Sequence, residues 1–133
     1  MAPRDTQIYL CTSTKEYKRC RRFCKQHGQD RHLEYPTVFA VRHGRIVGVA
    51  GTHDNEGLVC MGPLVVSDQL KSKGFVGLRL VQVLENLYKK AGLTHYFITV
   101  HNQLKRWQQA AERYGCRAVG VVEDHTWYVR ERL

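Results

Sequence analysis

Val65-Val66-Ser67-Asp68-Gln69-Leu70-Lys71-Ser72-Lys73-Gly74-Phe75-Val76-Gly77 is the stretch that decides how the chain folds. A β-branched run passes into a polar, lysine-bearing loop and then directly into an apolar helical pattern. The order predicts a strand, an anion-binding loop and a helix N-terminus in succession. The first turn of a helix has backbone N–H groups with no internal partner, and the helix dipole places about half a positive charge there. Phosphate suits such a site. Lys71 and Lys73 supply counter-charge, and the N–H groups of residues 72–77 form the expected cradle. Gly74 lets the backbone approach an anion and adopt conformations barred to other residues.

Outward from this stretch the pattern stays regular. On its N-terminal side, residues 37–41 and 45–51 read as a hairpin across His43-Gly44. Asp54-Asn55-Glu56-Gly57 reads as a turn, and residues 58–66 as the third strand of a meander. Pro63 cannot donate to a ladder and implies an edge, a bulge or a break in pairing. On its C-terminal side, a helix over residues 74–91 places Val76, Leu80, Val83, Leu84 and Leu87 on one stripe, with Gly92 just past its end. A strand over 95–100, a helix over 103–114 that stops at Gly115, and strands over 118–122 and 126–129 complete the chain.

The N-terminal part begins with a strand over 7–12. Ser13 and Glu16 form a capping box, and the helix behind it gathers Tyr17, Cys20, Phe23 and Cys24 on one face. Residues 29–36 are a polar connection without an assignment. There is no repeat, low-complexity tract or linker, so residues 1–133 are expected to form one domain. The order β-α-β-β-β-α-β-α-β-β predicts a mixed α/β architecture with one central sheet.

Composition narrows the function classes. Apolar residues make up 43% and charged residues 25%, as in ordinary globular domains. No run approaches the ~20 apolar residues that span a membrane, and the first residues lack an apolar signal segment. The five cysteines, Cys11, Cys20, Cys24, Cys60 and Cys116, are odd in number and scattered. They read as free, buried thiols in a reducing cytoplasm. Cys20 and Cys24 share a helix face but lack two further ligands, so no metal site is expected. The net charge is +9. Lys15, Lys18, Arg19, Arg21, Arg22 and Lys25 crowd one helix with only Glu16 to offset them. Nucleic acid, an acidic protein or a polyphosphate cofactor would answer to residues 15–25, and so would plain solvent around an exposed face.

The loop and the element order together resemble the Gcn5-related N-acetyltransferase superfamily. That family ends its fourth strand in a pattern of the type V-x-P-e-y-R/Q-x-K-G-x-G/A. The matching stretch runs from Val66 to Val76. Gly74 stands at the first loop glycine, Lys71 replaces Arg or Gln, and Val76 replaces the second Gly or Ala, with Gly77 next. Gly115-Cys116 matches a later glycine followed by an apolar residue.

The resemblance implies an enzyme that moves an acetyl group from acetyl-coenzyme A directly to an amine. It implies that Leu64, Val65 and Val66 present backbone groups to the pantetheine arm. The Leu64 N–H would lie near the thioester carbonyl, where it would stabilise a developing oxyanion. Lys71, Ser72, Lys73, Gly74, Phe75, Val76 and Gly77 would hold the pyrophosphate, and the strands over 58–66 and 95–100 would splay apart. The family's usual carboxylate base falls at Cys60 and its usual tyrosine acid at Ala111. Tyr114 shares a helix face with Ala111 and is one candidate proton donor. His101, after the 97–100 strand, is the other candidate, since histidine can act as acid or base. Asn102 would bond pantetheine amides. His53 and Glu56 read as turn or substrate-side residues. Orientation of the two reactants could itself supply most of the acceleration. The acceptor amine would sit on a small molecule, a protein or a nucleic acid. The competing reading is a catalytically degraded scaffold that binds nucleic acid or an acidic partner through its basic helix. An exposed edge among the C-terminal strands would permit dimers.

Overall fold

A computed structural model describes residues 6–70 and 73–133. Seven strands, β1 (Thr6–Leu10), β2 (Glu34–Arg42), β3 (Arg45–Asn55), β4 (Leu58–Val66), β5 (His95–His101), β6 (Arg117–Val122) and β7 (His125–Glu131), build one sheet. Three helices join them: α1 (Thr14–Gln26), α2 (Lys73–Lys90) and α3 (Lys105–Arg113). The sheet order is β1-β2-β3-β4-β5-β7-β6. Neighbouring strands are antiparallel except β4 and β5, which run parallel across the α2 crossover. The expected mixed α/β architecture and element order are those observed.

Alternation along the strands sorts the core into two layers. Val49 and Val65 face α1 and pack with Cys20, Phe23 and Cys24, while Ala50 and Val66 face α2 and pack with Val76, Leu80, Leu84 and Tyr88. Leu80 and Leu84 are wholly buried, and each such side chain stabilises the fold by roughly 2 kcal/mol. Helix α2 lies close to the sheet because β3 carries Gly48. A Cβ there would sit 2.8 Å from Leu80 Cδ1. Helix α3 lies beside α2 on the same face, with Ala111 packed on Tyr128 and Ile98.

The observed elements depart from the expected bounds where tertiary pairing extends them. Residues 34–36, which sequence leaves unassigned, join β2 because Glu34 pairs with Thr52 of β3. Strand β3 continues through His53 to Asn55, so His53 is a strand residue and the turn shrinks to Glu56-Gly57. At the N-terminus of α1 the Ser13 hydroxyl accepts the Glu16 N–H at 3.2 Å, as a capping box requires. The Glu16 carboxylate reaches past Ser13 and accepts from the N–H and hydroxyl of Thr12 at 2.7 and 3.0 Å. Lys15, Lys18, Arg19, Arg21, Arg22 and Lys25 are all exposed, on the face of α1 turned away from the sheet. Among the described residues no helix is long and apolar enough to cross a membrane, and no group of His, Cys, Asp or Glu is arranged to hold a metal ion.

Candidate active site

Strands β4 and β5 come together at one register pair, Cys60 opposite Phe97, among the described residues. Beyond it β5 continues against β7 to His101, whereas β4 continues against β3 to Val66. A gap therefore opens between β4 and β5 toward their C-terminal ends. The β3 pairing decides which β4 groups face it. The Ser67 N–H donates to the Val47 carbonyl at 2.8 Å, and Val65 lies opposite Val49 in the same register. Hydrogen-bonded and non-hydrogen-bonded pairs alternate in an antiparallel ladder. Val65 is thus bonded to β3, while Leu64 and Val66 turn their N–H and C=O groups away from β3 toward the gap. The register shifts between Ala50 and Thr52, where Gly62 and Pro63 lie opposite Gly51. The break expected at Pro63 is this bulge, seated immediately before Leu64.

The far end of the gap leads to the N-terminus of α2, whose first turn holds no acidic residue. Lys71 and Ser72 lie outside the described residues, and of Lys73 the backbone alone is described, at the helix start. Gly74 is exposed, and a Cβ on it would meet nothing within 4 Å. Its φ is not in the left-handed region, so its part here is to leave space, not to supply an unusual conformation. Phe75 is half-exposed, Val76 is buried in the α2 core layer, and a Cβ on Gly77 would lie 3.6 Å from Val66 Cγ2, an ordinary contact. Val76 thus serves packing with its side chain.

The expected proton carriers are both engaged. His101 Nδ1 accepts the Gln103 N–H at 3.1 Å, so Nε2 carries the proton and donates to Asp124 at 3.0 Å. Asn102 lies beside it, its side-chain oxygen accepting from Thr126 at 2.6 Å and Gln108 at 3.3 Å. Tyr114 donates to Glu85 at 3.2 Å, and its ring lies under the Arg130 guanidinium. Burial, then the Glu85 charge, pushes the Tyr114 hydroxyl up to about 12. The structure thus separates the two: His101 closes the β6–β7 turn, and Tyr114 belongs to a cluster between α2, α3 and β7.

That cluster is centred on Glu85, which is 5% exposed. Its carboxylate accepts from Arg130 Nε at 2.8 Å and from Tyr96 at 3.0 Å besides Tyr114. Burial pushes the carboxyl up, but these donors together outweigh it and hold the group below the usual range. Sequence reading misses Glu85, since one acidic residue on an apolar helix resembles any solvent-facing one.

His53, expected in a turn, is instead buried on β3, directly opposite Cys60. Thr52 bonds Tyr88 of α2, so alternation points His53 to the α1 face. Its Nδ1 lies 3.0 Å from the Gly62 carbonyl. A carbonyl only accepts, so Nδ1 carries the proton and Nε2 has the lone pair. Burial holds His53 below its ordinary value, with the Arg31 charge acting the same way; the Gly62 bond, Glu34 and Asp54 oppose them. Burial also pushes the Cys60 thiol up, so it stays neutral. The register of the meander is the signal: with β3 continued past Gly51, His53 falls across from Cys60.

No family model matches the chain, and no curated protein matches it in sequence. Solved structures do match. Aminoglycoside 6'-acetyltransferase type Ii superposes with a TM-score of 0.76 at 19% identity, over 96% of this chain and 97% of that one. The ribosomal-protein-S18-alanine N-acetyltransferase from Escherichia coli gives 0.72 at 12% identity, over 96% and 94%. A GNAT family acetyltransferase from Elizabethkingia anophelis, with acetyl-CoA bound, gives 0.68 at 12% identity, over 96% and 98%. With its parallel β4/β5 pair splayed beyond Cys60 and the α2 N-terminus at the mouth of the gap, the chain has the fold of the Gcn5-related N-acetyltransferase superfamily.

Proposed function

We propose that the protein is an acyl-coenzyme A-dependent N-acyltransferase that takes its acetyl group from acetyl-CoA and passes it directly to an amine. The observation that carries this is the gap. Leu64 and Val66 turn backbone donors and acceptors into it, and it ends at a helix N-terminus with an open Gly74. A ligand with amide groups along an extended arm and a phosphate at one end fits both parts, by strand addition and by the helix dipole.

In this reading Leu64, Val65 and Val66 hold the arm through their backbone, with Leu64 N–H turned toward the acyl carbonyl. Residues 71–77 hold the pyrophosphate: Lys71 and Lys73 as cations, Ser72, Gly74, Phe75, Val76 and Gly77 through the cradle. Asn102 bonds the arm from the β5 side. When bound, the donor supplies an activated thioester; the chain orients it and excludes water. The bonds that His101 and Tyr114 already make favour positioning parts for both. Five free buried thiols fit a reducing compartment such as the cytoplasm. The reading as a degraded scaffold that binds nucleic acid or an acidic partner is less favoured, because the solved structures of matching fold named above are acetyltransferases.

Calorimetric titration tests the proposal. Wild type should bind acetyl-CoA well above ATP, and Gly74→Glu should lose at least about tenfold in affinity with an unchanged melting temperature, because Gly74 faces open space. Equal affinity in wild type and variant would refute it.

A further inference from the structure

Around the gap, His53 is the described base whose acceptor atom is not committed to a partner. His101 uses both ring nitrogens and Tyr114 gives its proton to Glu85. Of the two carboxylates near His53, Glu34 accepts the Asp54 N–H at 2.7 Å and Asp54 accepts the Gly57 N–H at 3.2 Å. Arg31 is a permanent cation and Cys60 a neutral thiol. His53 Nε2 has no hydrogen-bond partner among the described residues. It is not sealed either, since the one buried and unpartnered side-chain polar atom among them is Tyr17 Oη.

The position of His53 relative to the gap follows from its bond. Its Nδ1–H holds the carbonyl of Gly62, the bulge residue two before Leu64. That bond locks the ring and the tautomer, leaving Nε2 as the acceptor. Tyr96 packs in the α2 layer, so Phe97 lies on the opposite face, where it meets Trp127 edge to face at 6.1 Å between centroids. On the α1 face His53 thus sits against the Gly62 bulge of β4, the strand that flanks the gap, while Phe97 and Trp127 lie on the same face across the β4/β5 junction.

We propose that His53 Nε2 is the general base of the reaction, and that the acceptor amine enters on the α1 face of the gap. This rests on the acyltransferase reading above. His53 Nε2 takes one proton from the acceptor ammonium and frees the nitrogen lone pair. The C–N bond forms as the C–S bond breaks; the sulfur leaves with that electron pair and takes up the second proton shed by nitrogen. The proton on His53 passes to solvent, so the products are an amide, a thiol and one released proton.

His53→Asn keeps an amide N–H for the Gly62 carbonyl and removes the base. With acetyl-CoA as donor, benzylamine and hydroxylamine separate the roles, because benzylamine is protonated at pH 7 and hydroxylamine is not. The variant should lose about 100-fold in kcat/KM toward benzylamine, stay within a few-fold toward hydroxylamine, and bind acetyl-CoA as wild type does. Nitrogen NMR of the ligand-free wild type should show Nε2 as the unprotonated ring nitrogen, titrating below an ordinary histidine. Equal losses toward both amines, no loss toward either, or a protonated Nε2 in the neutral ring would overturn the assignment. A wild type inert toward both amines would instead overturn the acyltransferase reading beneath it.

Discussion

Glu85 and His53 are both buried and titratable and lie on opposite faces of the sheet, yet they are finished differently. Glu85 on the α2 face has three donors aimed at one carboxylate: Arg130, Tyr96 and Tyr114. His53 on the α1 face has one bond, and that bond leaves a lone pair over. A buried group whose bonding capacity is filled from within stabilises architecture. One held rigidly with capacity to spare is suited to a ligand. On the reading proposed above, the Glu85 cluster joins strands to helices on the α2 face, and His53 on the α1 face is left for the second substrate.

The largest effect should come from the filled cluster. Glu85→Ala strands the Arg130 guanidinium and two hydroxyls and should cost about 3 kcal/mol in chemical denaturation. A loss below about 1 kcal/mol would mean that the cluster is not structural. Next is Gly115→Ala. Gly115 has φ +95°, and a Cβ would sit 2.6 Å from Arg130 Nη1. Both strain and displacement of Arg130 should cost about 2 kcal/mol. Tyr114→Phe removes one of Glu85's donors and should cost about 1 kcal/mol with benzylamine turnover within a few-fold of wild type; a much larger loss of turnover would return Tyr114 to the proton chemistry.

The smallest effects are in pH dependence. The folded Glu85 carboxyl lies below its unfolded value, so its contribution is present above the ordinary carboxylate range and lost as pH falls through the folded value. The folded His53 ring also lies below its unfolded value of about 6.5. The unfolded chain therefore binds the proton first, and stability should decline as pH drops below that value. Melting curves across this window should show the decline in wild type and a shallower one in His53→Asn. Parallel slopes would mean that His53 is less shielded than its burial indicates.

Much of the fold is legible in the sequence because local and tertiary signals agree in it. The apolar stripe of α2, the Ser13 cap and the Gly92 end all rest on neighbours within a turn of one another. The end of β4 at Val66 and the start of α2 at Lys73 are legible for the same reason, since a β-branched run, glycines and an apolar helical stripe lie contiguous. The proton chemistry is not. His53 sits 7 residues from Cys60 in sequence but directly across the β3/β4 ladder, and the Asp54-to-Gly57 turn signal draws the strand end too early. Tyr114 and His101 are attractive as residue types, but the partners that occupy them, Glu85 and Asp124, come from elements distant in sequence.

Residue-resolved amide hydrogen exchange is the sharpest test of whether the backbone groups of Leu64 and Val66 take up an acyl-coenzyme A arm. Without ligand, Val65 and Ser67, bonded to β3, should be protected, and Leu64 and Val66 should exchange faster. Acetyl-CoA should slow Leu64 and Val66 selectively, by at least about tenfold, while ATP leaves them unchanged. Equal protection of all four amides without ligand, or no added protection from acetyl-CoA, would rule out the proposed site.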